Sequence, residues 1–425
     1  MGALGAAHLL QAEGLTPALF DQLDYPGGHT ASHTVNGFIF DEGPHVSFTK
    51  DQRIKDLLLA NLGGEYETID ARIDNYWRGH WVTHPVITNL RGLPEELVVK
   101  VIADFVAARQ GAPVEIRNYE DWLVAGYGRS YAETFPMQYT RKYHTTDAAN
   151  MSTEWVGPRL YQAKLEEILT GALVSNPPNI HYVQDYRYPK KNGFAEFLRR
   201  FHERCDIHLR HKLIRIEPKA RRAHFANGRA VDYDHLISSV PLPDLIPMID
   251  GAPREVREAA ARLACTTVVL VNLGVARPDV STSSWTYFYE EEFPFSRVSF
   301  PRNMSLHTVP EGMSSIQSEI YFSKKYRPLR VSPESLIQST IDGLVRCGIL
   351  RQDDTIVLRH AQVVEYANII FDLERAPALA VVHGYLDEVG IGYCGRYGDW
   401  GYLWTDEAFM SGEGAAAKAL GRRAA

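Results

Sequence analysis

Cysteine is scarce in this sequence, and the few cysteines present lie far apart. Only four occur in 425 residues, at positions 205, 265, 347 and 394, and none of them forms a Cys-x-x-Cys pair. Structural zinc sites and disulfide-stapled domains both need cysteines at short, recurring spacings. The sequence therefore argues against both classes and indicates reduced thiols in a cytoplasmic protein.

The sequence also lacks an excess of positive charge and any long apolar run. Its formal net charge is −7, so no basic field attracts a nucleic-acid backbone or an anionic membrane surface. No apolar stretch approaches the roughly 20 residues that a membrane-spanning helix needs. Residues 1–14 carry no basic segment of the kind that begins a signal peptide. We therefore expect no nucleic-acid partner and no membrane association, and an anionic ligand must be held by individual arginines.

The sequence does contain enough apolar material for a large folded core. Hydrophobic residues make up 45% of the chain, and its 425 residues predict two or three interlocked domains. The residue patterns predict strands at Val35–Asp41, Thr266–Val275 and Ser315–Ser323, and helices at Leu93–Gln110 and Asp406–Ala419. This order predicts an α/β nucleotide-binding core formed by both chain ends, with a helical insertion and a mixed sheet between them.

The first 28 residues have the pattern of a Rossmann unit without its first strand. Ala3–Ala12 predicts a buried helix, and Thr16–Asp21 predicts a short strand that ends in an acid. In a Rossmann unit such an acid binds the adenosine ribose, after a Gly-x-Gly-x-x-Gly loop. Ala3 occupies the third glycine position, so the strand and the first two glycines have no counterpart. Either the start codon is misassigned, or the protein lacks half of its pyrophosphate-binding loop.

Five segments of the chain follow one another in the order and at the spacing that is found in one protein family. They read DQLDYPGG at Asp21–Gly28, EGPHVSF at Glu42–Phe48, WRGHWVTHP at Trp77–Pro85, WVGPR at Trp155–Arg159 and GRYGDWGY at Gly395–Tyr402. No single segment is decisive, but together they resemble the UDP-galactopyranose mutases, especially the eukaryotic branch. The resemblance to the protoporphyrinogen and amine oxidases is more distant.

This resemblance implies an α/β flavoprotein that binds FAD in a Rossmann-like domain, with the first strand and Gly-x-Gly missing. A helical insertion and a mixed β-sheet substrate domain complete the implied fold. The implied boundaries are a first FAD-binding segment at 1–79, a mostly helical substrate domain at 80–185, a second FAD-binding segment at 186–245, a mixed-sheet substrate domain at 246–385 and a C-terminal FAD-binding segment at 386–425.

On the flavin side, the resemblance assigns residues from both ends of the chain. By that match Asp21 holds the ribose, His45 packs against the isoalloxazine near its reactive N5, and Arg396 lies near the flavin. Asp406 stands where the mutases carry a neutral Asn, which places a potential negative charge near flavin or phosphate. The full set implied to bind FAD is Gly5, Asp21, Gln22, Gly27, Gly28, Thr30, Gly43, His45, Leu213, Gly395, Arg396, Thr405, Asp406 and Glu407.

On the substrate side, the resemblance assigns Arg159 and Arg297 to the diphosphate of a nucleotide sugar. Planar guanidinium groups can bind adjacent phosphates bidentately, although a single arginine is more often engaged in a surface ion pair. No metal is expected. The residues implied to act in catalysis are His45, Arg159, Arg297, Tyr366 and Tyr402, and those implied to bind substrate are Arg78, His84, Trp155, Arg159, Arg297 and Tyr402.

The sequence departs from the mutases at the pocket for the uracil base. Where the family carries an aromatic-Pro-aromatic-Gln run, this chain reads His84-Pro85-Val86-Ile87. A pyrimidine would lose a stacking partner and a polar contact there. A phosphate-binding tyrosine of the family is also replaced by Met304. The departures lie on the substrate side, whereas the flavin side is largely kept.

Three functions are compatible with these residues. The first is an FAD-dependent nucleotide-sugar mutase that isomerises pyranose and furanose rings through a flavin N5–sugar adduct. It would act on an NDP-sugar other than UDP-galactose, with reduced FAD and with NADPH or NADH as the reductant. The alternative is an FAD-dependent oxidase of the protoporphyrinogen or amine oxidase class, which would not need both Arg159 and Arg297. The third is a flavoprotein fold without activity that serves as a binding subunit.

From the base pocket we predict that UDP binds no more tightly than GDP or TDP. The side chains of Val86 and Ile87 offer no hydrogen bond that could select one base. Competition calorimetry with the three nucleotides measures this selectivity. A clear preference for UDP would show that the alignment of the base pocket is wrong.

Overall fold

The computed structural model describes residues 1–112, 114–157 and 160–422. Its strands are β1 (Ala18–Phe20), β2 (Ser32–Val35), β3 (Phe38–Asp41), β4 (Tyr66–Asp70), β5 (Ile73–Trp77), β6 (His80–Thr83), β7 (Asp185–Pro189), β8 (Asp206–His208), β9 (Leu213–Glu217), β10 (Arg222–Phe225), β11 (Ala230–Asp232), β12 (Leu236–Ser238), β13 (Thr266–Val275), β14 (Trp285–Phe288), β15 (Arg297–Ser299), β16 (Ser314–Ser323), β17 (Ile356–Val364) and β18 (Ile391–Tyr393). Its α-helices are α1 (Gly2–Ala12), α2 (Gln52–Leu62), α3 (Glu95–Gln110), α4 (Tyr119–Tyr127), α5 (Arg129–Thr134), α6 (Pro136–Tyr143), α7 (Leu165–Leu173), α8 (Arg199–Arg204), α9 (Leu242–Leu245), α10 (Arg254–Arg262), α11 (Leu336–Arg346), α12 (Arg375–Glu388), α13 (Gly395–Gly398) and α14 (Thr405–Ala419).

The largest element is a seven-stranded mixed sheet in the order β17-β13-β16-β15-β14-β5-β6. Its neighbouring strands are antiparallel except β14 and β5, which run parallel. Strand β13 is buried along almost its whole length. Its β-branched residues suit such a buried strand, because they pack well on a pleated surface. The predicted strand at Thr266–Val275 is therefore confirmed, as is the one at Ser315–Ser323, which begins one residue earlier.

Helices α3 to α7 form a cluster beside this sheet. Helix α3 begins after Pro94, and Glu95 and Glu96 in its first turn complement the positive end of the helix dipole. Its buried face packs Phe105 into the same core cluster as Leu123 of α4. The predicted helix at Leu93–Gln110 is thus confirmed with a start two residues later. No helix in the described residues combines the length and apolar character needed to cross a membrane.

The predicted nucleotide-binding core contains two short parallel pairs of strands instead of one continuous sheet. Strand β1 pairs with β8, and β12 pairs with β18. Residues of β1, β8 and β12 line the same cavity, which therefore extends between the two pairs.

One predicted strand is in fact a hairpin. The sequence predicts a single strand over Val35–Asp41, but the chain reverses within it. Asn36 and Gly37 have φ angles of 50° and 82° and connect β2 to β3 as an antiparallel pair. Asn-Gly is a strong hairpin signal because both residues tolerate the left-handed region. The prediction missed the turn because apolar residues on both sides resemble one continuous run.

The first and last helices of the chain pack closely through glycine. A Cβ atom on Gly5 of α1 would lie 1.9 Å from the carbonyl oxygen of Phe409 in α14, and a Cβ on Gly412 would lie 1.9 Å from the carbonyl oxygen of Gly2. Only glycine allows two backbones to approach so closely. Gly5 does not line the cavity. The structure therefore corrects its assignment as an FAD-binding residue and gives it a role in helix packing.

We predict that Gly5→Ala lowers the free energy of unfolding by roughly 3 kcal/mol, the upper end of the usual cost of overpacking. The matched control is Gly384→Ala in α12, where a Cβ would meet no atom within 4 Å. Alanine there should raise the free energy of unfolding by up to about 1 kcal/mol, because of its higher helix propensity. Urea unfolding of both variants measures these changes. Equal effects of the two substitutions would contradict the packing role of Gly5.

Candidate active site

A large cavity of about 1780 Å³ runs between the chain ends and the seven-stranded sheet. One side of its wall comes from α1, β1 and β12, and another side comes from α6, β14 and β16. Pockets for single drug-sized ligands usually enclose about 300–1,000 Å³. This cavity therefore has room for two ligands side by side.

The glycine turn after β1 borders the first side of the cavity. Gly27 and Gly28 have φ angles of 103° and 56°, and a Cβ on Gly28 would meet nothing within 4 Å. The turn thus exposes backbone to the cavity, as close approach of a phosphate requires. Asp21 lies at the end of β1, where its Oδ1 accepts a hydrogen bond of 2.9 Å from the backbone N–H of Leu23. The other predicted cofactor residues on this wall are Gln22, Thr30, Gly43, Leu213, Gly395 and Thr405.

His45 lies on the cavity wall after β3. Its Nδ1 lies 2.9 Å from the carbonyl oxygen of Gly43, which fixes Nδ1 as the donor and leaves Nε2 as an acceptor. Burial lowers the pKa of His45 to about 4. The imidazole is therefore neutral at physiological pH and serves as a hydrogen-bonding group, not as an acid.

Arg396 carries a half-buried positive charge that is held by neutral groups. Its Nε and Nη2 donate to the carbonyl oxygen of Leu403 at 3.0 and 2.6 Å, and Nη1 donates to Ala367 O and Asn368 Oδ1 at 3.1 and 3.2 Å. In the described residues it forms no ion pair with a carboxylate. A half-buried guanidinium of this kind can stabilise negative charge that develops in the neighbouring cavity.

Arg297 belongs to a buried ion pair on the cavity wall. Its Nε and Nη2 donate to the two carboxylate oxygens of Glu319 at 2.8 and 2.7 Å. Tyr321 also donates to Glu319, at 3.0 Å. Burial works against the charge of Arg297, but Glu319 outweighs it and holds the arginine pKa well above its usual range. One edge of the guanidinium is thus occupied by Glu319, and the side chain of Tyr287 also hydrogen-bonds to Arg297.

Aromatic side chains form the wall around this ion pair. The hydroxyls of Tyr143 and Tyr402 lie 3.0 Å apart, and the Tyr402 ring lies 6.2 Å from the ring of Trp155. Tyr366 lines the cavity with a φ of 57°, a conformation that strains a residue with a side chain and is typical of functional sites. His84 also lines the cavity, and its ring meets His181 edge-on at 4.8 Å.

The structure does not bring all the predicted residues to the cavity. Arg78 lies on an exposed turn with a φ of 47°, and its guanidinium stacks over Trp77 at 5.1 Å, which corrects its assignment to the substrate. Asp406 and Glu407 lie in the first turn of α14 and are not on the cavity wall. Glu407 accepts from the backbone N–H of Trp404 at 2.8 Å, so it caps the helix. Arg159 lies outside the described residues.

The residues predicted to form the base pocket also lie away from the cavity. Val86 and Ile87 are buried in the core, with exposures of 1% and 2%, and do not line the cavity. Met304 is equally buried, in a core cluster with Phe409. None of the three side chains can reach a base in the cavity, so the structure does not support them as the base pocket, and the lack of uracil preference stays a prediction.

Sequence reasoning missed Glu319 and two polar residues near His45, namely His29 and Glu42. A signal for Glu319 exists, because a carboxylate inside a buried strand must have a partner. His29 and Glu42 lie next to the glycine motifs, but nothing local indicates that they meet. In the described residues, no group of three His, Cys, Asp or Glu side chains is arranged to hold a metal ion.

Two known families match this chain. Residues 1–60 match the NAD(P)-binding Rossmann-like domain, and residues 117–420 match the flavin-containing amine oxidoreductases. The chain belongs to the flavin-containing amine oxidoreductase family. The predicted α/β class with a Rossmann-like domain is thereby confirmed.

Solved structures place this flavoprotein among several relatives of one fold. A reduced UDP-galactopyranose mutase is 28% identical, with a TM-score of 0.93 over 98% of this chain and 91% of that one. A candidate protoporphyrinogen oxidase from Exiguobacterium sp. 255-15 is 15% identical, with a TM-score of 0.76 over 99% and 96%. A putrescine oxidase with bound putrescine is 17% identical, with a TM-score of 0.66 over 99% and 97%. The predicted resemblance to the mutases is confirmed, and the oxidases share the fold.

The cavity of the flavoprotein suits a flavin. The open turn at Gly27 and Gly28 can accept a phosphate, and Asp21 can accept hydrogen bonds from a ribose. Arg396 supplies a positive charge beside the cavity that no described carboxylate neutralises. His45 adds a neutral imidazole. These residues provide the donors and the charge that a flavin dinucleotide needs.

We predict that the flavoprotein loses stability in mild acid because histidines are buried in neutral form. Burial lowers the pKa of His45 to about 4 and that of His144 to about 3. An unfolded histidine titrates near pH 6.5, so between about pH 6.5 and 4 the unfolded state binds more protons. Stability present above about pH 6.5 is therefore lost as the pH falls, by up to about 1.4 kcal/mol per unit of difference in pKa.

Urea unfolding at a series of pH values from 7 to 4.5 measures this loss. His45→Gln should have a shallower pH dependence than the parent protein, because one buried titrating group is gone. A free energy of unfolding that stays constant over this range would contradict the prediction.

Proposed function

We propose that this flavoprotein is a flavin-dependent isomerase of nucleotide sugars. It would interconvert pyranose and furanose rings of an NDP-sugar other than UDP-galactose. The observation that carries the proposal is the cavity wall that combines tyrosine hydroxyls with the guanidinium of Arg297 beside the flavin residues. The similarity to a UDP-galactopyranose mutase over nearly the whole chain supports it.

The polar groups of this wall match a sugar diphosphate. The paired hydroxyls of Tyr143 and Tyr402 can donate to and accept from sugar hydroxyls or phosphate oxygens. Nη1 of Arg297 can donate to one phosphate oxygen. The surrounding aromatic rings exclude water from the reacting groups, which strengthens such hydrogen bonds. The protein would thereby hold the leaving group and orient the sugar.

The proposed cofactor is FAD. Asp21, Gly27 and Gly28 would hold its adenosine and diphosphate, and His45 and Arg396 would contact the ring system. Reduced FAD supplies the nucleophilic centre of the reaction when it is bound. NADPH or NADH is the proposed reductant. Arg159 stays a sequence-based proposal for a second diphosphate ligand, and the division into five segments stays a proposal as well.

One observation favours the alternative of a flavin oxidase. Glu319 neutralises Arg297, so the wall has less positive charge than two free arginines would give. A neutral or cationic substrate would meet less repulsion there than in a dedicated phosphate site. The rate at which air reoxidises the reduced flavin separates the two functions, because an oxidase is reoxidised quickly and a mutase slowly.

Substitutions in the ion pair of Arg297 and Glu319 distinguish the two functions. We predict that Glu319→Gln strengthens nucleotide-sugar binding, because it removes a negative charge and frees one edge of Arg297. Adding Arg297→Ala to Glu319→Gln should then weaken binding by roughly 10- to 150-fold, the loss of a charge-assisted hydrogen bond of about 1.5–3 kcal/mol. This order avoids the single variant Arg297→Ala, which would leave Glu319 buried without its partner. Calorimetric titration with a panel of UDP-, GDP- and TDP-sugars measures both steps.

Flavin occupancy, read from the visible absorption spectrum, is the control for both variants. It should stay near that of the parent, because the proposed flavin contacts lie on other segments. If neither variant changes the affinity for any nucleotide sugar, Arg297 does not bind phosphate, and the oxidase becomes the better function.

A further inference from the structure

A carboxylate and two imidazoles form a polar cluster near the flavin residues that the proposed function does not use. Glu42 follows β3, and its side chain is only 4% exposed. It accepts a hydrogen bond of 2.8 Å from the hydroxyl of Tyr25 and lies 2.8 Å from both His29 Nδ1 and His33 Nε2. Gln362 Nε2 donates at 3.4 Å to Oε1, the same oxygen that Tyr25 and His33 contact. Burial alone would raise the pKa of Glu42, but its partners lower it to about 2, so the group is an anion.

The two imidazoles of this cluster differ in what they present to the cavity. His29 lines the cavity, whereas His33 does not. Glu42 accepts the Nδ1 proton of His29, so Nε2 of the neutral ring carries the lone pair. No described residue forms a hydrogen bond with this Nε2. In His33 the carboxylate accepts the proton of Nε2 instead.

The position of His29 is close to the proposed flavin ring. Its imidazole meets the ring of Tyr397 edge-on, with centroids 5.6 Å apart, and Tyr397 directly follows Arg396 in the chain. His45 is also near: its pKa is lowered mainly by burial, with further contributions from the charges of Arg396 and His29. His29 therefore lies at the end of the cavity where the reaction would occur.

The neighbouring groups are poorly suited to move a proton back and forth. An arginine does not release its proton in proteins, and burial keeps His45 neutral. An imidazole hydrogen-bonded to a carboxylate can both accept and donate a proton, because the carboxylate fixes the ring and stabilises the imidazolium as it forms. His29 with Glu42 has this arrangement.

We propose that His29, oriented by Glu42, is the proton-transfer residue of the cavity. The proposal rests on the proposed function, because isomerising a sugar ring needs proton transfers to and from the sugar. When a nucleophile replaces the diphosphate at the anomeric carbon, Nε2 of the neutral His29 ring takes the proton that the nucleophile releases. When the bond between the anomeric carbon and the ring oxygen then breaks, the oxygen keeps the electron pair and takes this proton from the His29 imidazolium, and an electron pair of the nucleophile replaces the broken bond at the anomeric carbon. When another hydroxyl of the sugar forms the new bond to the anomeric carbon, Nε2 takes the proton of that hydroxyl. It returns this proton to the nucleophile when the diphosphate displaces it, so His29 and the sugar regain their original proton counts.

A purely structural role for the cluster makes a different prediction. Glu42 could simply fasten the β2–β3 hairpin to the glycine turn, and then both histidines would matter equally, since both lie 2.8 Å from the carboxylate. Two shape-matched variants separate these roles. His29→Asn keeps a donor at the place of Nδ1 and removes Nε2, and His33→Gln keeps a donor at the place of Nε2.

The first measurement does not depend on activity. Long-range ¹H–¹⁵N spectra of the ¹⁵N-histidine-labelled flavoprotein, assigned with the two variants, report which nitrogen of each ring is protonated. We expect a proton on Nδ1 of His29 and on Nε2 of His33, with both preferences lost in Glu42→Gln. A proton on Nε2 of the neutral His29 ring would overturn the proposal.

The second measurement is turnover of the NDP-sugar panel. We expect His29→Asn to lower kcat by about 100-fold or more, in the range of lost general acid–base catalysis, with little change in KM or flavin absorbance. Added imidazole should restore some of the activity of His29→Ala, and His33→Gln should lose less than about tenfold. Equal losses in both variants would overturn the role of His29. If the parent turns over no nucleotide sugar, the proposed function fails, and the spectra decide on His29 alone.

Discussion

The contact between the first and last helices is the constraint on which the cavity depends. Gly5 lies against the carbonyl oxygen of Phe409, and Gly412 lies against that of Gly2, so the two backbones touch. This contact holds the glycine turn near the N-terminus and the Arg396 segment near the C-terminus on the same cavity. A side chain between these helices would move the two halves of the flavin site apart.

The second organising feature is how the buried charges are balanced. Glu42 has imidazole and hydroxyl partners, and Arg297 has Glu319, whereas Arg396 is held only by neutral oxygens of the described residues. A buried charge that is solvated by dipoles stays available to a ligand, because no counter-ion cancels its field. Arg396 is therefore the positive charge at the flavin end that remains available to a ligand, whereas the charge of Arg297 at the substrate end is offset by Glu319. This difference suits a flavin that becomes negatively charged on reduction.

Much of this arrangement can be predicted from sequence, because neighbouring residues determine it. The β-branched run at Thr266–Val275 and the glycine turn at Gly27 and Gly28 are dictated by neighbouring residues, and both appear where expected. His45 was assigned to the flavin from its motif, and it lines the cavity. The pairing of Arg297 with Glu319 could not be predicted, because it depends on the register between two strands. A residue that was predicted at the substrate but lies elsewhere shows the same limit of local patterns. Arg78 has the right chemistry for a phosphate, but its turn points it to solvent, and no local pattern records that direction.

The division of the predicted nucleotide-binding core into two parallel pairs has a consequence for how its parts are held together. Strand β1 pairs with β8 and β12 pairs with β18, and residues of β1, β8 and β12 line the cavity. A ligand in the cavity that contacts both pairs would join them and would stabilise the folded chain by mass action. Ligand binding and folding would then be coupled, so the melting temperature would rise with the ligand concentration.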